Sequence, residues 1–294
     1  MELVSVIIPT YGCRGHLKDS IDSVISQTYS PLEIIVVDDN SPDSTARKET
    51  ESIMAGYISN PIVCYLKHTM NRNGAAARNT GINASHGEFI AFLDDDDTFL
   101  PEKIERQVDF LHKNLEYDAV YCLAKKNGKN YSGAFYEGQP IKEMLMLETC
   151  MYTPCLMFRR DALLCINGFD EALRRHQDYD LLIRFFAAGH SIGCLKEVLS
   201  EIGSNAGENS PGGQKLEDLK TYFFSKFDPY IREINEKESG FRKKVYAKHY
   251  AGVFLRHVKN KDFRLAFKAF SKYFPYSPKQ FTEVIKGSIK AHLS

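Results

Sequence analysis

The chain has 294 residues, 43% of them hydrophobic and 26% charged, and its 38 Lys+Arg balance 38 Asp+Glu. That composition excludes a disordered or fibrous chain, and zero net charge excludes a general nucleic-acid coat. The seven cysteines are odd in number and contain no C-x-x-C pair, so neither a zinc ribbon nor a disulfide framework is indicated, and a reducing cytoplasm is the simplest home.

The zero conceals a split. Residues 241–294 hold 13 Lys/Arg against 2 Asp/Glu, a local charge of +11 that leaves the first 240 residues at −11. The start, Met1-Glu2-Leu3-Val4-Ser5, has no positive n-region. No apolar stretch approaches the roughly 18–20 residues that cross a bilayer, so neither a signal peptide nor a membrane span is expected.

In chain order, β-branched apolar runs at residues 4–8, 33–37, 62–66, 88–93 and 119–122 predict strands. Their spacing, about 30 residues, is that of a βα unit. Between them Leu17, Ile21, Val24 and Ile25 recur at helical spacing, Pro42-Asp43-Ser44 opens a second helix, and Pro101-Glu102 opens one with Ile104, Val108 and Leu111 on its apolar face. Continuous apolar strands alternating with helices predict an α/β fold with a mostly parallel open sheet. After Cys122 the alternation fails, and residues 154–158, a turn at Asn167-Gly168 and a helix over 179–188 predict a mixed region. Residues 203–215, rich in Gly, Asn and Ser, read as a flexible loop between a domain at 1–202 and a helical basic region at 216–294.

Ligands of open α/β sheets sit outside the carboxyl ends of the strands. The residues placed there are Pro9-Thr10-Tyr11, Asp38-Asp39-Asn40 and Asp94-Asp95-Asp96-Asp97. Four consecutive aspartates oppose one another's ionisation and call for a cation, and hard ions such as Mg²⁺ or Mn²⁺ take one or two carboxylates plus substrate phosphates. The plainer alternative is a solvated loop capping the next helix. A carboxylate at Asp38-Asp39 can accept an imide N–H, which uracil offers and cytosine does not, or can serve an Asx turn. In Asn73-Gly74-Ala75-Ala76-Ala77-Arg78-Asn79-Thr80-Gly81 the small residues allow close helix approach, and the arginine fork suits phosphate or a base edge. Gln177-Asp178-Tyr179-Asp180 opens an apolar helix with carboxylates that act either as caps or as a general base. No G-x-G-x-x-G follows the first strand and no G-x-x-x-x-G-K-[ST] occurs, which disfavours a dinucleotide dehydrogenase and a P-loop NTPase.

Together with Ser23-Val24-Ile25-Ser26-Gln27-Thr28-Tyr29 and Gly168-Phe169-Asp170-Glu171, these segments resemble the family-2 inverting glycosyltransferases of GT-A fold, of the type used in bacterial polysaccharide assembly. The resemblance covers residues 4–189. It implies that Pro9, Thr10, Tyr11, Asp39, Arg78, Asp94 and Asp95 line the nucleotide pocket, with Asp39 facing the base and Asp95 the ribose. It also implies that Asp96 binds Mn²⁺ or Mg²⁺ and that Asp178 is the catalytic base. The implied partners are a nucleotide-sugar donor, most simply a UDP-sugar, and a saccharide or lipid-linked acceptor. Two departures stand out: Gln177 replaces the Glu that many relatives carry, and Glu201-Ile202-Gly203-Ser204-Asn205 offers no Arg-x-His element.

The basic residues 241–294, interleaved with aromatics, suit peripheral contact with an anionic membrane at its inner face, or else a helical cap with solvated lysines. No nucleic-acid module accompanies the charge. The rival readings are a sugar nucleotidyltransferase and a non-catalytic nucleotide-binding, membrane-docking module.

Overall fold

Apolar strands alternating with amphipathic helices build the first half of the chain. The computed structural model describes residues 1–12, 15–126, 128–131, 134–149, 151–203 and 213–293. It opens with β1 (Val4–Thr10), α1 (Leu17–Ile25), β2 (Leu32–Asp38), α2 (Thr45–Ala55), β3 (Val63–Lys67), α3 (Gly74–Ala84) and β4 (Phe89–Phe92). β1, β2 and β4 are buried almost throughout, which explains why their sequences lack polar alternation. α1 buries Leu17, Ile21 and Val24, and Ser44 caps α2 by accepting the Arg47 N–H at 3.1 Å.

β5 (Thr98–Phe99), α4 (Lys103–Lys113), β6 (Ala119–Lys126), β7 (Lys129–Tyr131) and α5 (Ile141–Leu145) follow. A 3-10 turn at Thr153–Cys155 then leads into β8 (Leu156–Arg159), α6 (Arg160–Cys165), α7 (Gln177–Ala187) and β9 (Ile192–Ile202). The sheet runs β3-β2-β1-β4-β8-β6-β9-β5, with β7 paired to β6. β3, β2, β1 and β4 are parallel neighbours, as expected. Beyond them β8 is antiparallel to both β4 and β6, whereas β6 and β9 are parallel. The sheet is therefore mixed on the side where the regular alternation of the sequence stops.

Register decides where the site lies. Thr10 pairs with Asp38, and Ile7 with Phe92, so β1, β2 and β4 end at one edge and the segments after them share it. On another flank Lys103 is fully buried. Its ammonium donates to Gln107 Oε1 at 2.7 Å and lies 3.9 Å from the centre of the Phe99 ring, while Gln107 Nε2 donates to the Cys155 carbonyl at 2.8 Å. Burial lowers the Lys103 pKa.

The chain divides into two units, residues 1–141 with 149–206, and residues 142–148 with 207–294. The second is helical: α8 (Gly213–Lys237), α9 (Phe241–Lys259), α10 (Phe263–Tyr273) and α11 (Pro278–Leu293). Phe223, Phe227, Ile231, Val245, Tyr250 and Phe281 are buried in it. α8 starts at Gly213, whose φ of +55° suits a glycine. Residues 213–215 are thus helical and not part of the expected loop, while 204–212 lie outside the described residues. Among the described residues no helix is long and apolar enough to cross a membrane.

Candidate active site

Three strand ends and one helix start converge on a cavity of about 220 Å³ lined by Pro9, Thr10, Tyr11, Asp39, Gly74, Ala77, Arg78, Asp94, Asp95 and Asp96. A second cavity, of about 180 Å³, is lined by Asp94, Asp96, Asp97, Lys126, Tyr152, Thr153, Pro154, Asp178 and Ile202. Asp94 and Asp96 line both. All eight residues expected at the nucleotide and the metal therefore face one cavity, and Asp178 faces the adjoining one.

Each aspartate of the run has its own setting. Asp95 Oδ2 accepts from Thr10 Oγ1 at 2.6 Å and from the Tyr11 N–H at 3.3 Å. Burial, reinforced by Asp94 and Asp96, pushes its pKa up to about 6. Asp97 accepts the Gly203 N–H at 2.7 Å, and burial together with Asp94 pushes it up to about 8. Asp94 is paired with Arg78 Nη2. Burial leads in both shifts and crowding of like charge adds to it; a bound cation would relieve the crowding.

Arg78 is held on three sides. Besides Asp94, Nη1 donates to Gln177 Oε1 at 2.9 Å, and the guanidinium carbon lies 5.4 Å from the centre of the Phe169 ring. Its buried Nε has no hydrogen-bond partner among the described residues. Gly74 makes room: a Cβ there would lie 3.2 Å from Arg78 Nη1. α3, which carries Arg78, is capped by Asn73, whose Oδ1 accepts from the N–H groups of Ala75 and Ala76.

Asp39, which the resemblance turns toward the base, is already fully hydrogen-bonded. Its Oδ1 accepts from His68 Nδ1 and the Arg72 N–H, and its Oδ2 from Asn71 Nδ2 and the Asn73 N–H, each at 2.8 Å. These four bonds match the capacity of a carboxylate. Asp39 thus organises the wall formed by residues 68–73, and an imide N–H arriving there competes with a bond already made. The sequence showed the carboxylate but not its two main-chain partners, because backbone N–H donors leave no mark in residue type. Asp38 is structural: it is buried, paired with Arg47, and accepts from Tyr65 Oη at 2.6 Å.

Asp178 lies in the first turn of α7, where Oδ1 accepts the Tyr179 N–H at 2.9 Å. Burial raises its pKa, against the lowering effects of that N–H and of Arg78. Asp180, two residues on, is fully buried and paired with Arg184, which also donates to the carbonyls of Ile166 and Gly168. Geometry therefore separates a cavity-facing carboxylate from a structural one.

For a divalent ion the donors are hard carboxylate oxygens. Among the described residues no group of three or more His, Cys, Asp or Glu side chains is arranged to hold a metal. The residues present fit an ion that takes Asp96, with Asp94 beside it, and completes its shell with water and phosphate oxygens.

Residues 5–166 match the family described as Glycosyl transferase family 2, more than half of the chain. The chain belongs to that family. Glycosyltransferase RP339 of Rickettsia prowazekii is 32% identical over 76% of this chain and 72% of its own length. WfgD of Escherichia coli, a UDP-Glc:α-D-GlcNAc-diphosphoundecaprenol β-1,3-glucosyltransferase, is 33% identical over 61% of this chain and 68% of its own length. The fold is similar to that of Staphylococcus aureus TarS 1–349 in complex with UDP-GlcNAc, with a TM-score of 0.65 at 18% identity, covering 96% of this chain and 83% of that one. This family-2 glycosyltransferase is an enzyme with a mixed α/β, GT-A-like fold. Lys126, Tyr152 and Thr153 line the second cavity and Gln177 bonds Arg78; sequence reasoning assigned none of them, and Gln177 alone had a signal, its place directly before Asp178.

Proposed function

We propose that this glycosyltransferase moves a sugar, with inversion, from a UDP-sugar to a saccharide or lipid-linked saccharide acceptor in surface polysaccharide synthesis. The observation that carries the reading is the pair of cavities sharing Asp94 and Asp96, one with Arg78 and the other with Asp178. The UDP class is supported by the UDP-sugar in the name of WfgD and the UDP-GlcNAc bound to TarS. The lipid-linked acceptor is supported by the diphosphoundecaprenol in the name of WfgD.

In this reading the nucleotide lies between Pro9-Thr10-Tyr11 and the wall that Asp39 braces, and Asp95, turned toward Thr10, meets the ribose. Arg78, which lines the first cavity, meets the diphosphate with its guanidinium. Asp178 takes the proton of the acceptor hydroxyl, whose oxygen attacks the anomeric carbon as the bond from that carbon to the diphosphate breaks. General-base catalysis of this kind contributes about 10²–10⁴-fold. A Mn²⁺ or Mg²⁺ ion held by Asp96 would supply charge stabilisation at the diphosphate. The enzyme works at the inner face of the membrane, through residues of the basic helical region.

A panel of UDP-, GDP- and CDP-sugars, each assayed for slow hydrolysis with Mn²⁺ and with chelator, tests this. The expected result is release of UDP that chelator suppresses. Turnover of GDP-sugars alone would overturn the donor class, and pyrophosphate release from a nucleoside triphosphate would reassign the enzyme as a nucleotidyltransferase.

A further inference from the structure

α10 is seated through small residues and one aromatic. Ala266, Ala269 and Tyr273 are its buried side chains, and Tyr273 stacks on Tyr250 of α9 with ring centres 3.6 Å apart. At about 100° per residue, the opposite arc holds two kinds of residue. Phe263 and Phe267, one turn apart, are 67% and 71% exposed. Arg264, Lys268 and Lys272 occupy the adjoining sector and are exposed as well. The helix thus has three sectors: one packed, one bare and aromatic, one cationic.

The residues 263–282 contain no Asp or Glu, while Arg264, Lys268, Lys272 and Lys279 are cationic. No ion pair is recorded for Arg264 or Lys268 among the described residues. Other aromatics of the basic region, Phe241, Tyr250, Tyr273 and Phe281, are buried, so packing accounts for those, whereas Phe263 and Phe267 make no ring contact among the described residues.

We propose that the Phe263–Phe267 face of α10, with Arg264, Lys268 and Lys272 beside it, docks this protein on an anionic lipid bilayer. The phenyl rings enter the boundary between headgroups and acyl chains, and the cations reach lipid phosphates with their methylene stems lying along apolar surface. A second copy of this chain fits the face less well. A two-fold contact puts a patch against itself, which would set the three cations against their own images with no Asp or Glu among residues 263–282 to offset them. A bilayer carrying phosphatidylglycerol supplies the missing negative charge. The docking face names the surface behind the peripheral contact proposed above, and its evidence does not depend on the transfer reaction.

The test uses the full chain and sedimented vesicles, either pure phosphatidylcholine or phosphatidylcholine with 30% phosphatidylglycerol. Binding should favour the anionic vesicles, weaken in 0.5 M NaCl, and fall at least about tenfold in Phe263→Ser/Phe267→Ser. Each of Arg264→Gln, Lys268→Gln and Lys272→Gln should lower it about fivefold. Donor hydrolysis should be unchanged in all of these variants, since none lies in the catalytic cavities. Equal binding of the serine double variant, or equal binding to both vesicles, overturns the proposal. So does a concentration-dependent dimer that the double variant abolishes while vesicles do not bind. Absent donor hydrolysis with vesicle binding intact would sink the transfer reading and leave the docking face standing.

Discussion

Arg78 donates through Nη1 to the amide oxygen of Gln177 at 2.9 Å, and Gln177 directly precedes Asp178. The amide is fixed from its other end as well, since Nε2 donates to the Leu173 carbonyl at 2.8 Å. One bond thus ties the cation of the nucleotide cavity to the helix turn that carries the proposed base. Because Gln177 is neutral, Arg78 keeps charge that a glutamate would cancel.

Gln177→Glu should therefore raise the donor KM about tenfold, the worth of one weakened charge-assisted contact. It should also move the acid limb of the pH–rate profile upward, because a neighbouring anion raises a carboxyl pKa. Gln177→Ala should raise KM and leave the limb in place. Steady-state kinetics across pH separates the two, and a stationary limb in the Glu variant would contradict the coupling.

Asp178→Asn should lower kcat by about 10²–10⁴ and leave UDP binding, measured by calorimetry, within about twofold. The base works deprotonated and burial raises its pKa, so the wild-type rate should fall with decreasing pH at values above the ordinary aspartate pKa of about 3.9. The same shift has a sign for stability. The folded state favours the protonated acid, so this contribution is fully present below the unfolded pKa and is lost as pH rises toward the folded one. Asp178→Asn should remove that slope from a series of unfolding midpoints.

Asp39→Asn replaces an oxygen that accepts two hydrogen bonds with an NH₂ that can accept neither. At least one of the donors from His68, Asn71, Arg72 and Asn73 is then unmet, at about 1–3 kcal/mol. Amide exchange at Arg72 and Asn73 should accelerate, and UDP affinity should fall about tenfold or more. Unchanged exchange with weakened UDP binding would instead make Asp39 a direct contact to the base.

Gly81→Ala probes the seat of α3. A Cβ there collides with Ile7 Cγ2 and Cγ1, and Ile7 is fully buried in β1. Overpacking of this kind costs about 1–3 kcal/mol, visible as a lower denaturation midpoint, and donor KM should rise because Arg78 rides on the same helix.

Much of this architecture is legible in the residues themselves. β1, β2 and β4 are apolar runs because both of their faces are covered, and the carboxylates after them mark the edge where they end. Pairing beyond β4 is less visible: four-residue β8 carries no local mark that it inserts antiparallel between β4 and β6, since neighbours in a sheet are chosen by long-range packing. Asp178 and Asp180 look alike as letters, and only Arg184 and full burial distinguish the second. Two of the four donors on Asp39 were hidden because they are main-chain N–H groups, brought there by the positive φ of 94° at Asn73 and the chain around it.

The ammonium of Lys103, sealed beneath Phe99 and bonded to Gln107, has one further use. A water-soluble acylating reagent reaches it only when the sheet and α4 come apart, whereas surface lysines react at once. Its labelling rate would therefore clock the rare openings of the catalytic domain, with no engineered probe.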